Sequence, residues 1–235
     1  MSVRNRVVDV LRRLGLLRLV VGLHRLWLGL VKVVCRLTGR PVIDAIYNDR
    51  YFTVEEAWTE PTAGAVVDVI VKEFRPASVA DVGCGTAVYL RHFKERGVSI
   101  QGYEGSTAAI DRAQVPATSI QRCDLTKPLQ VDRQYDLALC FEVAEHLPDA
   151  AADTLVGSMV SLAPVILFSA AQPGQGGVDH INEQPGSYWI AKYEAAGCRY
   201  DEPGTEKLRA AMTAADVAWW LKTNLMVFRR ARPAS

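Results

Sequence analysis

The sequence is short of several features that would assign a class at once. Of its 235 residues only five are cysteine: Cys35, Cys84, Cys123, Cys140 and Cys198. The count is odd and no pair is spaced for a redox or zinc motif. That excludes a disulfide scaffold and points to buried, reduced thiols in a cytoplasmic protein. The N-terminal segment, residues 1–40, has no long uncharged run either. Between Arg25 and Lys32 only six uncharged residues stand together, too few for a membrane span. Leu37-Thr-Gly-Arg-Pro41 is not a small-residue cleavage site, so no secretory signal is expected. Net charge is only +1, with 49% apolar and 23% charged residues. That balance excludes a disordered chain or a collagen-like repeat. The length suits one sizeable domain with an appendage.

The small net charge conceals a division. Residues 1–40 hold nine Lys/Arg against one acid, Asp9, a net +8, which leaves −7 on residues 41–235. A basic head precedes an acidic body, and an acidic body is poorly suited to nucleic acid. Within the head, Gly15, Gly22 and Gly29 recur every seven residues, as do Arg18, Arg25 and Lys32. On a helix these cations form one stripe among Leu, Val and Trp27, giving a strongly amphipathic segment. Three uses stay open for residues 1–40: peripheral contact with an anionic membrane face, a homodimer contact, or a cover for the following domain.

After Pro41 strands alternate with helices. Helices are expected at residues 63–74, 88–96, 106–113, 151–162 and 188–196. Strands are expected at 78–82, 98–103, 119–123, 135–141, 165–169 and 225–229. This predicts an α/β fold with a mostly parallel sheet and helices on both faces. The organisation expected is a helical extension over 1–40, a lid or linker over 41–62, and a domain over 63–235. Four strands end at acids: Asp81, Glu104, Asp124 and Glu142. In open α/β sheets ligands bind at the carboxyl ends of the strands, so these acids converge on a binding edge.

Gly83-Cys-Gly85 follows the first strand and precedes a helix, which allows close backbone approach to a ligand. Position 88 is Val, which departs from the dinucleotide fingerprint, and Asp81 would repel a pyrophosphate. A carboxylate there suits a cationic ligand such as S-adenosylmethionine, with its ammonium and sulfonium. Glu104, nineteen residues after Gly85, stands where a ribose diol would need an acid. Val79-Ala-Asp81-Val-Gly83-Cys-Gly85-Thr resembles the first motif of class I S-adenosylmethionine-dependent methyltransferases. The resemblance spans about residues 60–230 and implies a Rossmann-like, seven-stranded fold. It also implies cofactor contacts from Asp81, Gly83, Gly85, Glu104, Asp124 and Leu125. Ala87 departs from the pattern, standing where many members have a third glycine.

Glu142, Glu145 and His146 lie at the mouth of the fourth strand, and His180 lies in the loop after the fifth. If a helical turn begins at Glu142, positions i, i+3 and i+4 share a face. Two carboxylates and two imidazoles then make a divalent-metal site, for Mg²⁺ or another ion. The spacing is similar to that of metal-dependent O-methyltransferases acting on the terminal ribose of small RNAs and on catechols in ubiquinone biosynthesis. It implies activation of a hydroxyl beside another hydroxyl, with His146 or His180 accepting the proton. The loop Gly176-Gly-Val-Asp-His180-Ile-Asn182-Glu-Gln184 resembles those of glycan-modifying methyltransferases of the methylmannose-polysaccharide type. The leading expectation is therefore O-methylation of a saccharide or glycosylated small molecule. Asn182 and Gln184 could hydrogen-bond the acceptor, and Tyr188, Trp189, Trp219 and Trp220 could supply a stacking wall, although aromatics at helical spacing more often belong to the core. The alternatives are a membrane-associated quinone or catechol O-methyltransferase, and a catalytically silent, partner-binding subunit.

Overall fold

A computed structural model of the chain describes residues 17–39 and 41–231. The chain divides after Ile46 into two compact units. The first contains helix α1 (Leu17–Thr38) and the short α2 (Val42–Ile46). The regular heptad spacing read from the sequence is a single helix, as expected from residue 17 onward. Residues 1–16 of the basic head lie outside the described residues.

The second unit opens with α3 (Asp49–Phe74). Its start differs from the expected 63. The side chain of Asn48 accepts from the N–H groups of Arg50 and Tyr51, an N-cap that begins the helix fourteen residues earlier. Pro61 lies inside the helix and removes one backbone bond without ending it. The segment expected as a lid over 41–62 is thus shared between α2 and the first half of α3. The helix ends at Arg75, in a left-handed conformation before Pro76.

Next come β1 (Ser78–Val82), α4 (Val88–Glu95), β2 (Ser99–Glu104), α5 (Thr107–Asp111), β3 (Ile120–Arg122) and β4 (Leu137–Phe141). They are followed by α6 (Ala152–Leu162), β5 (Val165–Ser169), α7 (Gly186–Ala195), β6 (Cys198–Tyr200), α8 (Glu202–Ala214), α9 (Trp219–Asn224) and β7 (Met226–Arg230). One seven-stranded sheet has the order β3-β2-β1-β4-β5-β7-β6. The first five strands are parallel, and β7 runs antiparallel to both β5 and β6. This is the mostly parallel, Rossmann-like fold read from the sequence. The expected set lacked β6, α8 and α9.

Successive strand residues face opposite sides of the sheet. Val79, Leu137, Leu139, Leu167 and Val227 meet Val66, Val67 and Ile70 of α3, Phe93 of α4, and Leu208 and Met212 of α8. Ala80, Ala138, Cys140, Ile166 and Phe168 meet Leu155 and Met159 of α6 and Trp189 and Tyr193 of α7. Every one of these side chains is buried. β1, β4, β5 and β7 therefore contribute to two cores, which explains why they read as largely apolar runs. The chain reverses its progress across the sheet between β1 and β4, so their carboxyl ends flank a crevice there.

Candidate active site

The crevice is lined from β1 outward. Gly83 has φ 74°, and a Cβ on it would stand 2.5 Å from the side chain of Val143. Only glycine fits. Ala87 also adopts a left-handed conformation, at φ 63°, and its N–H closes the turn on the Cys84 carbonyl at 2.9 Å. The turn forms with a methyl at this left-handed position, at a cost of about 1–2 kcal/mol.

Glu104 ends β2 and is buried. Its Oε2 accepts from the Gly85 N–H at 2.8 Å, and its Oε1 accepts from Gly105 and Ser106, both at 2.8 Å. Three backbone donors thus fix the carboxylate, and Oε2, which accepts only one of them, keeps a lone pair for a further donor such as a ribose hydroxyl. Burial pushes its carboxyl up, against the opposing effect of those N–H groups. Asp81 is also buried, and burial together with Glu104 and Glu55 pushes its carboxyl up to about 8. Glu55, from α3, is a group that sequence reading missed. It stands beside Gly85, accepts from the Thr59 hydroxyl at 2.5 Å, and is pushed up mainly by burial. Three carboxylates gathered out of water favour a cationic guest.

These shifts have a measurable consequence for the ligand-free protein. A carboxyl whose folded value exceeds its unfolded one stabilises the fold most below the unfolded value, about 3.9 for aspartate, and loses that contribution as pH rises toward the folded value. The melting temperature of the wild type should therefore fall, relative to Asp81→Asn, between about pH 4 and pH 8. Parallel melting curves across that window would contradict the burial of an unpaired Asp81.

Asp124 and Leu125 follow β3. Asp124 accepts from the Thr126 N–H at 3.0 Å and hydroxyl at 2.6 Å, and the hydroxyl bond above all holds its carboxyl below the usual range. Its side chain is half exposed, with Lys127 3.6 Å away. Leu125 packs on the α6–α7 side of the core.

The second half of the site follows β4. Here the helical-turn assumption fails. Glu142 is left-handed at φ 54°, and the short 3-10 turn covers only Ala144–His146. Glu142 therefore aims elsewhere. Its carboxylate accepts from Asn224 Nδ2 at 3.1 Å and from Gln175 Nε2 at 3.0 Å. One ligand atom each from Glu145, His146 and His180 lie within 4.8 Å of one another, and Glu142 stands outside this group.

Glu145 is 1% exposed, and neither carboxylate oxygen has a partner at full hydrogen-bond geometry. Burial, then Glu142, pushes its carboxyl up, against the opposing effect of the nearby N–H groups of Glu145 and Ala171. His146 also has an unpartnered Nδ1. The desolvated setting, then His180, pushes its imidazole down to about 3, so it is neutral at physiological pH. A neutral imidazole places no positive charge between the two glutamates. The rings of His146 and His180 meet edge to face at 4.8 Å, and Tyr47 packs on His146 from the other side at 5.5 Å.

His180 is held by a residue that sequence reading passed over. Its Nδ1 lies 3.0 Å from Glu183 Oε1. Glu183 also accepts from the N–H groups of Gly174 and Gly176, both at 2.7 Å. Against partial burial, these N–H groups and His180 keep its carboxyl below the ordinary range. An ionised carboxylate only accepts, so Nδ1 carries the proton and Nε2 faces Glu145 Oε1, 4.0 Å away. A Cβ on Gly177 would lie 2.1 Å from that Nε2, so the ring occupies the space left by the glycine.

The four aromatics do not form a stacking wall as a unit. Trp189 is fully buried against Phe168, Tyr188 bonds Asp149, and Trp220 packs on Trp58. Asn182 is buried and accepts from Gln184 at 3.0 Å.

Residues 57–165 match the family model described as a methyltransferase domain. No curated relative matches the sequence. Among solved structures, the sugar N-methyltransferase KedS8 from Streptoalloteichus is similar at 19% identity and a TM-score of 0.57, over 72% of this chain and 87% of that one. The amino pentose methyltransferase CalS10 from Micromonospora echinaspora has 19% identity and a TM-score of 0.54, over 73% and 91%. Magnesium protoporphyrin IX methyltransferase from Synechocystis has 16% identity and a TM-score of 0.55, over 74% and 84%. The family match begins within α3 and runs through the glycine turn and Glu104 to the foot of β5, so the part that resembles a methyltransferase domain is the part that lines the crevice, and the solved structures share the fold around it.

Proposed function

We propose that the chain methylates a hydroxyl of a saccharide or glycosylated acceptor, beside a second hydroxyl, with Glu145, His146 and His180 holding a divalent cation. The carrying observation is the buried, unpartnered Glu145 carboxylate faced by His180 Nε2, with Glu183 fixing the tautomer. Two acceptors at that distance call for a proton or a cation between them. A carboxylate oriented on the far ring nitrogen is the usual second-sphere support of a ligating histidine. One oxygen and two nitrogens suit a borderline ion such as Mn²⁺, Co²⁺ or Zn²⁺ better than Mg²⁺.

On this reading Glu104 binds the ribose hydroxyls of S-adenosylmethionine, Gly83 and Gly85 admit its methionine part, and Asp81 with Glu55 offsets its positive charges. Asp124 and Leu125 border the adenine. S-adenosylmethionine supplies an electrophilic methyl group. A cation at the trio would lower the pKa of an acceptor hydroxyl. Neutral His146 and the Glu183-held His180 keep lone pairs available there, and Tyr47 packs over the ring of His146. An amine needs no such activation. The trio therefore favours an O-acceptor, although two of the similar folds belong to methyltransferases of amino or N-methylated sugars.

A second reading is favoured by the His180–Glu183 bond alone. In it His180 takes the acceptor proton directly and no metal takes part. Chelation separates the two. On the metal reading, exhaustive EDTA treatment removes most turnover while S-adenosylmethionine still binds, and Mn²⁺ restores the rate. Full turnover after chelation would leave the histidine-base enzyme. The quinone or catechol acceptor is tested in the same assay. Placement of residues 1–40 at a membrane or against a second copy concerns where the enzyme works, not what it transfers.

A further inference from the structure

We infer that α1 lies in the plane of an anionic membrane surface and docks the enzyme there. Leu23, Leu26, Leu30, Val33, Val34 and Leu37 are exposed, from 48% for Val34 to 82% for Leu37. At 3.6 residues per turn these six fall within an arc of about 100°. Scattered exposed leucines are ordinary, but a continuous stripe of six marks an interaction surface. Leu28 and Cys35, on a different face, are the buried positions of the same helix. The exposed stripe is therefore not the face by which the helix is packed. Trp27, half exposed at the edge of the stripe, is of the type enriched at membrane–water interfaces.

Charge chooses the occupant. Arg18, Arg25, Lys32 and Arg36 fall within about 40° on the helix circumference, on a separate stripe. The helix contains no acidic residue, and residues 1–40 as a whole carry +8. A second copy laid along the apolar stripe would bring another +8 alongside, with Asp9 the lone acid of each head to oppose it. Anionic headgroups complement the same charge, while the apolar stripe enters the boundary of the acyl layer. No helix among the described residues is long and apolar enough to cross a membrane, so this one lies on the surface.

The test is co-sedimentation of the full-length protein with phosphatidylcholine vesicles, with and without phosphatidylglycerol, at low and high salt. Binding should require phosphatidylglycerol and weaken with salt. Leu26→Asp/Leu30→Asp should lower binding at least about tenfold, with unchanged S-adenosylmethionine affinity and unchanged mass in light scattering. If that variant fails to fold, Arg25→Glu/Arg36→Glu keeps the apolar stripe and should abolish the preference for the anionic vesicles. Failure of the wild type to bind either vesicle, or equal binding by the variants, would overturn the assignment. A wild-type dimer that the Leu26→Asp/Leu30→Asp protein converts to a monomer, without vesicle binding, would make a second copy the occupant. None of these outcomes depends on the acceptor or on the metal.

Discussion

His180→Ala should slow methyl transfer by about 10²–10⁴-fold, the range for a lost acid–base or activating group, with S-adenosylmethionine affinity preserved. The carboxylates proposed to bind the donor sit at the ends of β1 and β2, whereas His180 lies beyond β5, so the two functions should separate. Glu183→Gln should lose part of the same activity, because an amide oxygen can still accept from Nδ1 but no longer carries charge. Gly177→Ala should behave like a milder His180→Ala. Its methyl would displace the ring, which lies 2.1 Å from the position a Cβ would take. The readout is kcat against cofactor affinity for each variant. Equal loss of donor binding in all three would mean that the loop supports the whole crevice, not the acceptor side.

How much of this could be read beforehand follows from local chemistry. β1, β4 and β5 announced themselves because each is buried on both faces and reads as an apolar run, while β2 and β3 were marked by the acids Glu104 and Asp124 at or just after their ends. β6 has only three residues, and α8 follows it at once, so the pair offers no run long enough to register. Its start was nonetheless signalled, since Asp201 caps the helix by accepting from Gly204 at 3.2 Å and Pro203 stands in the first turn. Glu55 escaped notice because an acid on the first turns of an amphipathic helix reads as a solvated one. Only the fold carries it to the glycine turn. Glu142 was included by spacing, and spacing misled because the backbone turns left-handed there before the 3-10 turn begins. Glu183 lay in plain view between Asn182 and Gln184. Its role depends on two glycine N–H groups that no pattern displays.

The second large effect concerns the donor. Glu104→Ala should weaken S-adenosylmethionine binding by about 10–150-fold, which corresponds to about 1.5–3 kcal/mol for charge-assisted hydrogen bonds. The substitution also releases the N–H groups of Gly85, Gly105 and Ser106, so part of the loss is a loosened glycine turn. Glu104→Gln separates the contributions, because it keeps the side chain's shape and removes the charge. Calorimetric titration of wild type and both variants reads the effect directly, with melting curves to confirm the fold. Unchanged affinity in Glu104→Ala would place the donor elsewhere.

The central proposal joins this crevice, as the donor site, to Glu145, His146 and His180 as the groups that activate a hydroxyl. The direct test is transfer of a labelled methyl group from S-adenosylmethionine into a panel of saccharides, glycolipids, quinols and amino sugars, with products identified by mass and linkage. The account predicts a methyl ether on a saccharide hydroxyl that neighbours another hydroxyl, formed by the wild type and lost in His180→Ala. Label found only on nitrogen, or formed equally well by His180→Ala, would contradict it.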